Sequence, residues 1–141
     1  MNIFFDMDYT LLGMDHTLRP GAREVMQRLT DDGHVLYVWS GTGIRWREVR
    51  QHGLESLVTD CFIKPLSNSA VALTLGLPVV PDLVIDDDSE VPTALGGIWI
   101  RPYLDHSNNH DDEMERVYSI ITEYARSGHS EDGRFRGKPE G

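Results

Sequence analysis

The sequence has little cysteine, little positive charge and no long apolar run. Cys61 is the one cysteine among 141 residues, so no disulfide can form within the chain. That fits a reducing compartment, the cytoplasm. Cys61 opens a short apolar run and reads as a small core residue rather than a nucleophile. Lys and Arg number 13 against 23 Asp and Glu, a formal net charge of -10. So acidic a chain lacks the general electrostatic grip that holds polyanions, and no stable nucleic-acid binding is expected. No apolar stretch approaches the roughly 20 residues that cross a bilayer, so no membrane is expected as a partner. The N-terminus lacks the basic region of a signal peptide, and Asp6 and Asp8 interrupt it, so no signal peptide is expected.

What remains is ordinary globular material. Hydrophobic residues make up 40% and aromatic residues 9%, enough to fold, and the length suits one domain with a real core. Short apolar runs alternate with helical patterns, the signature of βαβ units around a parallel sheet. Strands are predicted over about 2–6, 34–39, 61–63, 82–85 and 98–100. Pro20 is a good first-turn residue for a helix running to about residue 32, with Ala22, Val25, Met26 and Leu29 on one face. Further helices are predicted over about 44–52, 69–75, 89–95 and 111–126. Residues 9–19 read as a turn with a small hairpin. The folded domain is therefore placed at 1–126, and the Gly-, Ser- and charge-rich residues 127–141 are expected to be a disordered tail.

Four predicted strands end in polar groups. Asp6, Asp8 and Thr10 follow the first, and Ser40-Gly41-Thr42-Gly43 the second. Lys64 follows the third, and Asp86-Asp87-Asp88 the fourth. With right-handed crossovers all four ends lie on one edge of a parallel sheet, where ligands of such sheets bind. The residue types suit phosphoryl chemistry. A carboxylate can attack a phosphate monoester and split its hydrolysis into two steps through an aspartyl-phosphate. A divalent cation held by carboxylates, with a lysine and hydroxyl or backbone N–H donors, neutralises the dianion. A second carboxyl group protonates the leaving alcohol and then activates water.

In these residues, Asp6-Met7-Asp8-Tyr9-Thr10, Ser40, Lys64 and Asp86-Asp87, the chain resembles the haloacid dehalogenase (HAD) superfamily over about residues 1–105. The resemblance implies a Rossmann-like three-layer sandwich on a five-stranded parallel sheet of order 5-4-1-2-3. It implies Asp6 as nucleophile and metal ligand. Asp8 would be the general acid/base, with its main-chain carbonyl on the metal. Thr10 would position the loop, Ser40 and Gly41 would bind phosphate, and Lys64 would contact both Asp6 and the phosphoryl group. Asp87, with Asp86 as ligand or support, would complete a Mg2+ site. The acid at Asp8 favours a phosphatase or phosphotransferase over a dehalogenase, because a leaving group must be protonated.

Two features depart from the family pattern. Tyr9 stands where the family often has glycine. The intervals 10–34 and 40–64 leave no room for a cap domain, so the site is expected to be open. Such an open site suits phosphomonoesters presented by macromolecules, a phosphoprotein or a nucleic-acid end, as well as small phosphate esters, and an oligomer is compatible with it. The alternative is a non-catalytic metal- or partner-binding module that retains the fold. Trp46 with Arg45, Arg47 and Arg50 reads as a solvated helix face. His106 and His110 read as part of a polar loop rather than a second metal site.

Overall fold

The structure, a computed structural model, describes residues 1–139. It is an α/β protein, with a single six-stranded sheet and five helices among the described residues. In chain order the elements are β1 (Asn2–Asp6), α1 (Ala22–Asp31), β2 (Val35–Ser40), α2 (Trp46–Gln51), β3 (Val58–Ile63) and α3 (Ala70–Thr74). Then follow β4 (Leu83–Asp86), α4 (Glu90–Leu95), β5 (Gly97–Trp99), α5 (Glu113–Ser127) and β6 (Phe135–Arg136). The sheet order is β3-β2-β1-β4-β5-β6. It differs from the expected five-stranded sheet of order 5-4-1-2-3: β6 is added outside β5 and runs antiparallel to it.

Alternation along the strands explains both faces of the sheet, since successive side chains point to opposite sides. Ile3, Phe5, Leu36, Val38, Leu83 and Ile85 join one core cluster, with Ala22, Val25, Met26 and Leu29 of α1 and Met114, Val117, Ile120 and Ile121 of α5. Phe4, Tyr37, Trp39 and Val84 form a second cluster with Leu73 of α3 and Val91 of α4. There Phe4 stacks on Tyr37 at 4.9 Å and meets Trp39 edge-on at 5.1 Å. Each buried Phe, Leu or Ile side chain contributes about 1.5–3 kcal/mol of apolar transfer free energy, so these clusters hold the sheet between its helices. Cys61 belongs to the first cluster, and burial pushes its thiol up to about 11.

The expected disordered tail is not what the structure shows for residues 127–139; residues 140–141 lie outside the described residues. Phe135 packs on Tyr124 with ring centroids 5.2 Å apart and pairs with Ile98 in the sheet. Ser130 is buried, its hydroxyl on Glu123. Arg134 donates to Glu113 and lies over the Trp99 ring, and Asp132 pairs with Arg116 of α5. The tail's charges suggested disorder by composition, but opposite charges on α5 answer them. At the far side of this junction β5 begins at Gly97, where an added Cβ would stand 1.9 Å from the Val84 carbonyl oxygen.

Pro20 does not open α1. Gly21, with a left-handed φ of 79°, precedes Ala22 and turns the chain into the helix.

Candidate active site

The register of the sheet brings the acids together. In the parallel pairing of β1 with β4, Ile3 lies beside Leu83, Phe4 beside Val84 and Phe5 beside Ile85. One step further sets Asp6 beside Asp86 on neighbouring strands, which lie about 4.7–4.9 Å apart. Like charges placed so repel each other. Lys64, just past the end of β3, relieves this by bridging both. Its Nζ lies 3.0 Å from Asp6 Oδ1 and 2.9 Å from Asp86 Oδ2. The backbone fixes that reach, since the Lys64 N–H donates to the Ser40 carbonyl at the end of β2 at 2.9 Å.

One ammonium does not balance the cluster. Asp6, Asp86 and Asp87 each bring a carboxylate oxygen to within 4.8 Å of the others. Burial is the largest influence on all three and favours the neutral acid. It raises Asp6 to about 7 against the pull of Lys64, with a hydrogen bond to Asp87 adding to the rise. Burial raises Asp86 to about 6, with the Asp6 charge adding to it, and Asp87 is raised as well. Burial acts to lower Lys64, but Asp6 and Asp86 together outweigh it and its pKa is raised. The site thus lacks positive charge, and its donor set consists of hard oxygens. Both properties fit a divalent metal ion held by these three acids. Among the described residues no other group of three His, Cys, Asp or Glu side chains meets in this way.

The loop after β1 is pinned from behind. Leu11 and Leu12 donate their N–H groups to the Met7 carbonyl, closing a tight turn. Tyr9 takes a left-handed φ of 65°, which costs a side-chain-bearing residue roughly 1–2 kcal/mol. Three backbone contacts hold it there: its N–H donates to Leu12, and its carbonyl accepts from Tyr103 N–H and from Arg19 Nη1. Thr10, wholly buried, stands 3.2 Å from Asp6 Oδ2 and 3.4 Å from Asp87 Oδ1. Arg19 is the clamp. Its guanidinium donates to the carbonyls of Tyr9, Thr10 and Arg101, and forks onto both oxygens of Asp111 at 2.8 and 2.9 Å.

The expected site residues do not all share one cluster. Asp6, Thr10, Lys64, Asp86 and Asp87 meet. The Asp8 side chain turns instead to Arg45, whose Nη1 and Nη2 donate to Asp8 Oδ2 and Oδ1 at 2.8 and 3.1 Å. Ser40 Oγ accepts from the Thr42 N–H and from Arg45 Nη1, both at 3.2 Å. Gly41 is exposed at the turn after β2, where an added Cβ would come no nearer than 3.8 Å to the Lys64 carbonyl oxygen. Asp86 has both oxygens engaged, one by Lys64 and one by the Asp88 N–H, whereas the half-buried Asp87 carboxylate accepts from Thr10 and faces Asp6.

Arg19, Arg45 and Trp99 are absent from the expected set. Trp99 donates its ring N–H to the Asp87 carbonyl at 3.1 Å and so steadies the acid pair. Arg19 carried no signal in the sequence, since it stands alone in the short hairpin segment. Arg45 carried one, three arginines just past the Ser40 loop, but helix periodicity alone does not tell which of them turns inward. Trp39 is fully buried core. The His106 ring binds Asp15 at 2.6 Å and gathers no third ligand. A surface cavity of about 480 Å³ at the start of α5, lined by Arg101, Asn108, His110, Asp112 and Arg116 among others, includes none of the acid cluster.

No family model, curated protein or solved structure matches this chain in comparisons with known proteins.

Proposed function

We propose that the protein is a magnesium-dependent phosphohydrolase of the HAD type, with a Rossmann-like three-layer fold and an open, capless site. The observation that carries this reading is a buried nucleophile-grade carboxylate, Asp6, in contact with Lys64 and facing two further acids that a single lysine does not neutralise. A purely structural ion pair needs no such excess of negative charge, which costs stability unless a cation is bound.

Asp6 attacks phosphorus and displaces the leaving oxygen, forming an aspartyl-phosphate. Lys64 and the Ser40 hydroxyl, with the Gly41 N–H, hold the non-bridging oxygens. Asp8 gives a proton to the departing alcohol and then takes one from the water that cleaves the aspartyl-phosphate. Magnesium, held by Asp6 and Asp87 with Asp86 supporting and the Asp8 carbonyl completing the set, would supply positive charge that offsets the dianion. Asp87 is the better direct ligand because its carboxylate is the less occupied of the pair. The substrate class is a phosphomonoester, and the open rim admits one carried by a macromolecule. The cytoplasm suits a buried, unpaired thiol.

Hydrolysis of a generic aryl phosphate tests the reading. Turnover is expected with magnesium, none without it, and none in Asp6→Asn or Asp8→Asn. If beryllofluoride with magnesium raised the melting temperature of wild type but not of Asp6→Asn, the site would stand even where the aryl ester is a poor substrate. Absence of both turnover and stabilisation would leave the binding module as the better account.

A further inference from the structure

Arg45, at the entrance to α2, is buried although it begins an exposed, basic helix. Its guanidinium makes more contacts than an ion pair requires. Besides the fork onto Asp8, Nη1 donates to Ser40 Oγ at 3.2 Å and to Thr42 Oγ1 at 2.9 Å, and Nε lies 3.3 Å from Glu48. Asp8 has no other side-chain partner among the described residues, and its side chain is 40% exposed. The buried, multiply held partner is therefore the arginine, and the carboxylate is the mobile one. A planar guanidinium that fits two carboxylate oxygens fits two phosphoryl oxygens equally well. Ser40, the hydroxyl assigned to a phosphoryl oxygen, already touches Nη1. An oxygen held by Ser40 thus lies within reach of the same fork that Asp8 occupies.

We propose that Arg45 is a second phosphate-binding cation, and that its ion pair with Asp8 is the resting half of a clamp that opens when a phosphoryl group takes the carboxylate's place. The inference rests on the phosphohydrolase reading and deepens it. A dianion bound at Ser40 takes the Arg45 fork in place of the Asp8 carboxylate, while Thr42 and Glu48 keep the guanidinium where it is. The freed Asp8 carboxylate, already at the solvent edge, takes a proton from water and turns it to the leaving group. Asp8 is then released for its part in the reaction only when a phosphoryl group is in place, which gives a capless site a form of substrate gating without a lid.

Calorimetric titration with inorganic phosphate, in the presence of magnesium, tests the competition without turnover. Wild type, Asp8→Asn, Arg45→Gln and the double variant form a cycle. Asp8→Asn is expected to tighten phosphate binding by about tenfold, and Arg45→Gln to weaken it by about tenfold or more. Removing the charge of Asp8 helps any anion through the general field, and that gain would survive in the Arg45→Gln background. Direct competition predicts that the gain vanishes there. Arg45→Lys keeps the charge without the fork and carries the same comparison if Arg45→Gln melts far below wild type; it is expected to bind phosphate more weakly than wild type. If folded wild type binds phosphate and neither Arg45 variant changes the affinity, Arg45 is only a structural tie, and this inference falls while the phosphohydrolase reading stands. If folded wild type binds no phosphate, both fall.

Discussion

Arg19 and Lys64 are both buried cations in contact with carboxylates, yet their surroundings differ in balance. Arg19 faces one acid, Asp111, and spends its remaining donors on three carbonyls. Every group is matched, and both side chains are almost wholly shielded from solvent. Lys64 faces Asp6 and Asp86 at once, with Asp87 close by. There negative charge exceeds positive, and burial holds protons on the acids. A closed cluster of the first kind fixes the chain. An unbalanced cluster of the second kind waits for a charge from outside. The two clusters meet at the loop after β1, since Arg19 holds Thr10 from behind while Thr10 touches Asp6 in front.

The largest expected effect breaks the unbalanced side. On the proposed reading Lys64→Met should reduce magnesium-dependent turnover by about 10³-fold, read on an aryl phosphate, since that reading gives Lys64 a phosphoryl oxygen to hold. Retention of turnover within a few-fold would remove Lys64 from the chemistry. On the balanced side, Arg19→Met leaves Asp111 buried without its cation and should destabilise the fold by about 3–5 kcal/mol in urea titration. A cost close to zero would mean that Asp111 finds solvent and that the clamp is not closed.

Acidity sharpens the difference further. Asp6 at about 7 and Asp86 at about 6 lie above the ordinary value of 3.8. The folded chain therefore keeps protons that the unfolded chain has released. Stability from this source is fully present below pH 3.8 and is lost as pH rises through 6 to 7. The melting temperature of metal-free protein should fall by several degrees between pH 5 and pH 8, and magnesium should restore it at pH 8. His34, lowered by burial, acts in the opposite sense, so the decisive comparison is with Asp6→Asn, whose pH slope should be shallower. An equal slope in the two proteins would detach the effect from Asp6. The smallest effect is expected at an exposed pair: His106→Gln should leave turnover and melting temperature unchanged, because solvent already screens its contact with Asp15.

Much of this contrast was legible in the sequence, but unevenly. The first five strands were visible as short apolar runs, and Asp6, Thr10, Lys64, Asp86 and Asp87 were read from the polar ends of the first, third and fourth. β3 begins at Val58 rather than Cys61, since the polar residues Thr59 and Asp60 hid its start on an edge strand. β6 was invisible: a two-residue strand in a charged tail has no periodicity, and what holds it, the packing of Phe135 on Tyr124, the pairing with β5 and the ion pairs with α5, is tertiary. Arg19 and Arg45 were missed for a shared reason. Long cationic side chains are ordinarily solvated, and only the tertiary arrangement of Asp111 and Asp8 shows where they go.

Gly97 adds a further consequence. The sheet has no space for even one methyl group there, because the Val84 carbonyl oxygen lies in the way. Two residues on, Trp99 tethers the Asp87 carbonyl. Any larger residue at position 97 would act as a shim driven between β4 and β5, and the displacement would be passed along that tether to the acid pair. Such a lesion would leave every reactive group in the chain intact. It would spoil the calibration between them, so on the proposed phosphohydrolase reading inherited or engineered changes at this position should look like a loss of ion affinity rather than a loss of chemistry.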